Sequence, residues 1–179
     1  LVLQQERTGE VSAVPAYKNF DFTQPTTVTG GFSSPPVAAL IGNTPLLELR
    51  RVTAGLSPRV RVYAKAEWYN PGGSVKDRAA WFMLRQAITD GHVTSGRRVL
   101  DATSGNTGIA LAMLGVSLGI GVTLCIPSNA SPERKRVLAA YGADVIYTDP
   151  MTSTDGAQAL ARELAEKQPE RYHYLNQYA

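Results

Sequence analysis

From residue 60 onward, short apolar runs of strand length alternate with longer stretches whose apolar positions recur at helical spacing. VRVYAKA (60–66) reads as a strand. SVKDRAAWFMLRQAITDG (74–91) reads as a helix, with Ser74 as its cap, Asp77 completing an S-x-x-D capping box and Gly91 ending it. RVLDA is the next strand, and a small-residue loop leads from it into the helix of NTGIALAMLGVSLG. GVTLCIP is a strand, and Ser131 with Pro132 opens a helix that stops at Gly142. ADVIYT is a strand, TDGAQALARELAEKQ a helix capped by Thr154, and YHYL a closing strand. Strands and helices that alternate at such short intervals predict βαβ units, hence an α/β fold on a parallel sheet with helices on both faces. The first 37 residues lack this rhythm. TQPTTVTGGFSSPP is rich in Thr, Ser, Gly and Pro and predicts an irregular lead-in.

Composition narrows the class. The chain of 179 residues is 44% hydrophobic and 18% charged, with a net charge of +3, which fits a globular domain or a little more. Its densest basic run, Arg134-Lys135-Arg136, is offset by Glu133 and reads as a solvated helix face. No basic stripe points to nucleic acid. No apolar run reaches the roughly 18 residues of a membrane span, and no secretory pattern precedes the body, so a cytoplasmic protein is expected. The single cysteine, Cys125, lies inside VTLCIP and reads as a buried strand residue. His92 and His173 are far apart and read as loop or strand-edge positions, and no metal-ligand spacing occurs.

Two segments stand where strand ends should be, and ligands in parallel sheets sit at the carboxyl ends of strands. TSGNTG (103–108) follows a strand and opens a helix. Free backbone N–H groups and the helix dipole there suit an anion. The spacing fits neither a phosphate P-loop nor a dinucleotide fingerprint. The hydroxyls of Thr103, Ser104 and Thr107 point to a small anion such as a carboxylate, while an ordinary capped helix is the competing reading. In NPGGSVKDR (70–78), Lys76 occupies the first turn of a helix, where the dipole opposes a cation. It is either an exposed lysine in water or an amine kept available as nucleophile and base, able to form a Schiff base with an aldehyde cofactor. The preceding glycines would let a flat ring approach the backbone.

IGNTPLLEL (41–49), NPGGSVKDR (70–78), TSGNTGIALA (103–112), SPERKRVLAAYGADV (131–145) and NQYA (176–179) occur in this order and spacing. Together they resemble the cysteine synthase family, the pyridoxal-phosphate enzymes that share the tryptophan synthase β-like fold with cystathionine β-synthase. The resemblance runs from about residue 38 to the last residue and covers the N-terminal half of such an enzyme. It implies that Lys76 carries pyridoxal 5'-phosphate as a Schiff base and acts as the catalytic base. It also implies that Asn106 bonds the cofactor's ring hydroxyl. Thr103, Ser104, Gly105 and Thr107 would receive the α-carboxylate of an amino-acid substrate, joined by Gln177.

The implied division is a lead-in over 1–37, the N-terminal part of the larger cofactor domain over 38–81, and a small βα domain over 82–179. The remainder of the larger domain, with the Gly/Thr-rich phosphate loop and the residue facing the pyridine nitrogen, does not occur in the chain. It starts with Leu1 and stops straight after an aromatic strand, so a fragment is expected. The lead-in contains no Cys or His, which argues against a haem-ligating extension. The implied activity is β-replacement on O-activated serine to give L-cysteine, with sulfide or a thiol as second substrate and a homodimer when complete. A cystathionine β-synthase or related β-replacement enzyme is the alternative. A non-catalytic homologue that binds an amino acid or an interaction partner is the alternative of another class.

Overall fold

The computed structural model describes residues 26–28, 32–34, 37–57, 59–94, 96–103 and 105–178. Its centre is a four-stranded parallel sheet in the order β7-β6-β5-β8. The strands are β5 (Arg98–Ala102), β6 (Val122–Pro127), β7 (Asp144–Thr148) and β8 (Tyr172–Tyr174). Every residue of β6 is buried. A central strand covered on both faces reads as one apolar run rather than an alternation, and VTLCIP is such a run.

Helices cover both faces. α1 (Lys76–Thr89) and α2 (Asn106–Leu118) pack against each other, and α3 (Pro132–Ala140) packs on α2 and β7. Their side of the sheet holds one core cluster, which includes Leu84, Ile88, Val99, Leu111, Leu114 and Leu124. On the other side, α4 (Ser153–Lys167) closes a second cluster with Leu100, Ala102, Cys125 and Tyr172. Helix and sheet approach closely at Gly108, where an added Cβ would lie 2.8 Å from Thr103 Cγ2 and 3.3 Å from Leu124 Cδ1.

The chain leaves β5 through α2 towards β6 and β7, then returns through α4 across the opposite face to place β8 on the far side of β5. The strand order therefore reverses between β5 and β8. In open α/β sheets such a switch point forms a crevice beyond the strand ends, where ligands bind. A separate antiparallel pair, β3 (Leu46–Glu48) with β4 (Tyr63–Lys65), precedes α1. Among the described residues no helix is long and apolar enough to cross a membrane.

Several local expectations need correction. Part of the segment read as an irregular lead-in is regular, since β1 (Thr26–Val28) pairs antiparallel with β2 (Phe32–Ser34). The remainder of that reading up to residue 36, residues 1–25, 29–31 and 35–36, lies outside the described residues. β4 is shorter than the predicted 60–66. Ser74 and Asp77 form no capping box. The cap position is Val75, Ser74 Oγ accepts the Lys76 amide at 3.2 Å, and Asp77 turns back to accept the Gly72 amide. Thr154 caps nothing, because a 3₁₀ turn (Pro150–Thr152) leads into α4 and starts it at Ser153. Ser131 does cap α3, accepting from the Arg134 amide.

The boundary expected between residues 81 and 82 falls within α1. That helix is continuous, and its Ala80, Leu84, Ala87 and Ile88 are buried in the core beside α2. The two histidines meet, their rings stacked with centroids 4.6 Å apart. Burial, then the neighbouring His92 and Arg97, push the His173 imidazole down to about 4. Burial pushes the Cys125 thiol up to about 11, which leaves it inert.

Candidate active site

Lys76 is the first residue of α1 and is exposed. A polar network holds the turn that presents it. The buried Asn70 receives the Gly42 amide on Oδ1 at 2.9 Å and donates through Nδ2 to the Ser74 carbonyl at 3.0 Å. Nδ2 also reaches Glu67 Oε2 at 2.8 Å. Arg78 grips both oxygens of Glu67, from Nε at 2.8 Å and Nη2 at 3.0 Å, and Thr44 Oγ1 donates to the same carboxylate at 3.0 Å. The IGNTP and NPGGSVKDR segments are thereby tied together. Gly73 has φ +80°, a conformation that favours glycine, and nothing lies within 4 Å of where its Cβ would be.

The lysines differ in what they touch. Lys65 donates to the Thr44 carbonyl, Lys135 to the Ser128 carbonyl at 2.6 Å, and Lys167 to Glu163. Among the described residues, no acceptor takes the amine of Lys76.

The second part of the site is the loop after β5. Thr103 is buried, donates its amide to the Cys125 carbonyl at 3.1 Å, and accepts the Gly105 amide on Oγ1 at 3.3 Å. Ser104 lies outside the described residues. Gly105 caps α2 with open space where a Cβ would stand. Asn106 begins α2 and is exposed, while Thr107 is buried. Among the described residues, no acceptor takes the amides of Asn106 and Thr107, so two N–H groups at the positive end of α2 stay available. Gln177 comes to this loop across the switch point. Its Nε2 donates to the carbonyl of Ala102, the residue before Thr103, at 3.0 Å. No hydrogen bond joins Lys76 to the loop among the described residues. The two halves are related through the packing of α1 on α2.

Sequence reasoning missed two groups. Glu67 lies outside the quoted motifs, and besides Asn70 its partners Arg78 and Thr44 are 11 and 23 residues away. Asp101, fully buried on β5, accepts the Ala102 amide on Oδ1 at 2.7 Å, and its Oδ2 has no partner among the described residues. Burial pushes its carboxyl up to about 6, against the opposing Ala102 and Gln177 amides. The signal available was one acid among the apolar positions that follow Arg98 in β5.

These residues fit pyridoxal phosphate. An uncommitted lysine amine heads one helix, an exposed asparagine heads the helix packed beside it, and open glycine positions flank each.

A family model described as "Pyridoxal-phosphate dependent enzyme" matches residues 37–179. The chain is 50% identical over 143 residues to the cysteine synthase of Aquifex aeolicus, covering 79% of this chain and 44% of that protein. The crystal structure of a cysteine synthase from Entamoeba histolytica superposes with a TM-score of 0.74 at 35% identity, over 84% of this chain and 45% of that one. An O-acetylserine dependent cystathionine beta-synthase from Helicobacter pylori superposes with a TM-score of 0.70 at 32% identity, over 82% and 46%. The chain thus spans a little under half the length of the proteins it matches. A match that takes in the Lys76 turn, the loop after β5 and the turn after β8 that carries Gln177 makes the chain a member of the pyridoxal-phosphate dependent enzyme family.

Proposed function

We propose that the protein to which this chain belongs makes L-cysteine by β-replacement on an O-activated serine, O-acetylserine or O-phosphoserine, with sulfide as the second substrate. One observation carries the reading: the amine of Lys76 is uncommitted at the head of α1, while the other described lysines are engaged. Lys76 holds the cofactor covalently and takes the α-proton of the bound amino acid. Asn106 bonds the ring hydroxyl. Thr103, Ser104, Gly105, Thr107 and Gln177 receive the substrate's α-carboxylate, with the α2 dipole behind them. Pyridoxal phosphate, when bound, supplies an electron sink for the α-carbon. The β-substituent leaves with its bonding pair, sulfide supplies the pair for the new C–S bond, and Lys76 returns the proton to the α-carbon.

In this reading residues 38–75 belong to a larger cofactor domain and the βα units to a smaller one. The complete protein is a cytoplasmic homodimer. The likeness to an O-acetylserine dependent cystathionine beta-synthase favours a second reading, in which a thiol such as homocysteine replaces sulfide. The test gives the complete protein O-acetylserine or O-phosphoserine, each with sulfide or with homocysteine. Cysteine from sulfide supports the first reading, cystathionine from homocysteine the second, and no product from either overturns both.

A further inference from the structure

β8 pairs with β5 only as far as Leu100 opposite Tyr174, where Leu175 donates its amide to the Leu100 carbonyl. Ala102, two residues further along β5, therefore faces that edge with no strand beside it. Two side chains take the strand's place. Asp101 Oδ1 accepts the Ala102 amide at 2.7 Å, and Gln177 Nε2 donates to the Ala102 carbonyl at 3.0 Å. A primary amide nitrogen carries two hydrogens. Gln177 spends one on Ala102 and keeps the other for a ligand, its direction fixed by the first bond.

Asp101 is a costly way to satisfy one peptide. It is fully buried, and Oδ2 has no partner among the described residues. A buried carboxyl with incomplete pairing costs free energy. The titratable groups that sense it are Cys125 on β6, Tyr174 on β8 and Tyr178 beyond it, none of them a cation. Among the described residues, no ion pair explains the presence of Asp101. Its Oδ1 holds the N–H of Ala102, the residue whose carbonyl, in the next peptide, leads into the Thr103 loop and orients Gln177.

We propose that Asp101 is a positioning residue for the substrate carboxylate, fixing the backbone of Ala102 through its N–H so that the Ala102 carbonyl aims the Gln177 side-chain amide. The inference rests on the reading of this loop as the amino-acid carboxylate site. Asp101→Asn keeps an acceptor of the same size for the Ala102 amide, and Asp101→Val removes it. In the complete protein, calorimetric binding of L-serine is compared with that of ethanolamine, which lacks only the carboxylate. Misplacing a hydrogen bond to a charged group is worth roughly 1.5–3 kcal/mol, or about tenfold or more in affinity. Asp101→Val should lose that for serine, with ethanolamine and cofactor affinities unchanged, and Asp101→Asn should stay close to the unsubstituted protein.

Serine affinity that survives Asp101→Val overturns the proposal, as does equal loss of serine and ethanolamine or an equal fall in Asp101→Asn. A second measurement needs no variant. The Ala102 amide proton should exchange slowly although no strand faces it, and exchange at the rate of an open loop also overturns the proposal. If the unsubstituted protein binds neither compound, the reading of the loop itself fails. Normal serine binding that is insensitive to Asp101 fails this inference alone.

Discussion

Glu67 shows what single residues do in the Lys76 turn. Arg78 above all, with Asn70 and Thr44, holds its carboxyl down at about 2 against the cost of desolvation. Its folded value lies below its ordinary one of 4.5, so the stability it contributes is present above that value and is lost as pH falls towards 2. Its side chain is 19% exposed, so solvent screens part of the effect. Glu67→Gln should therefore lower the urea midpoint at neutral pH and flatten its fall between pH 4.5 and 2. Parallel curves for the two proteins would show that the network does not hold the turn. Asn70, Asp77 and Arg78 stood in a legible motif, but the acid that organises them did not. Asn70 is close in sequence, but Arg78 and Thr44 are 11 and 23 residues away, and pairings made by tertiary folding leave no local pattern.

The helices and central strands of the parallel sheet were legible because their periods are set locally, and β6 needed only its unbroken apolar run. Their ends were less so. Ser74 with Asp77 matched a capping box in letters, yet Asp77 lies within reach of the Gly72 amide and binds there instead. The 3₁₀ turn ahead of α4 displaced a cap in the same way. For the loop and the first turn of α2, the sequence indicated an anion site, and the structure adds the uncommitted amides of Asn106 and Thr107. Ser104→Ala and Thr107→Ala should each weaken amino-acid binding by roughly 1.5–3 kcal/mol, while the absorbance of the cofactor-loaded resting protein stays the same. Unchanged binding of O-acetylserine in both variants would give the loop another role.

At the scale of the whole molecule, several large apolar side chains before and along α1 are exposed. Leu46 is 60% exposed, Trp68 59%, Tyr69 64% and Phe82 71%. Such side chains, where they gather into one patch, mark a surface that binds something, and the chain spans 44–46% of the proteins it resembles. The 179-residue chain alone should therefore associate in solution and give no sulfide-dependent cysteine when supplied with pyridoxal phosphate and O-acetylserine. Turnover at an ordinary enzymatic rate would contradict this.

The central claim is that the uncommitted amine at the head of α1 carries the cofactor. Borohydride reduction of the complete, cofactor-loaded protein, followed by proteolysis and mass mapping, tests it most directly. The pyridoxyl mass is expected on the peptide containing Lys76. The same mass on Lys65 or Lys135, which the structure ties to the Thr44 and Ser128 carbonyls, would contradict it.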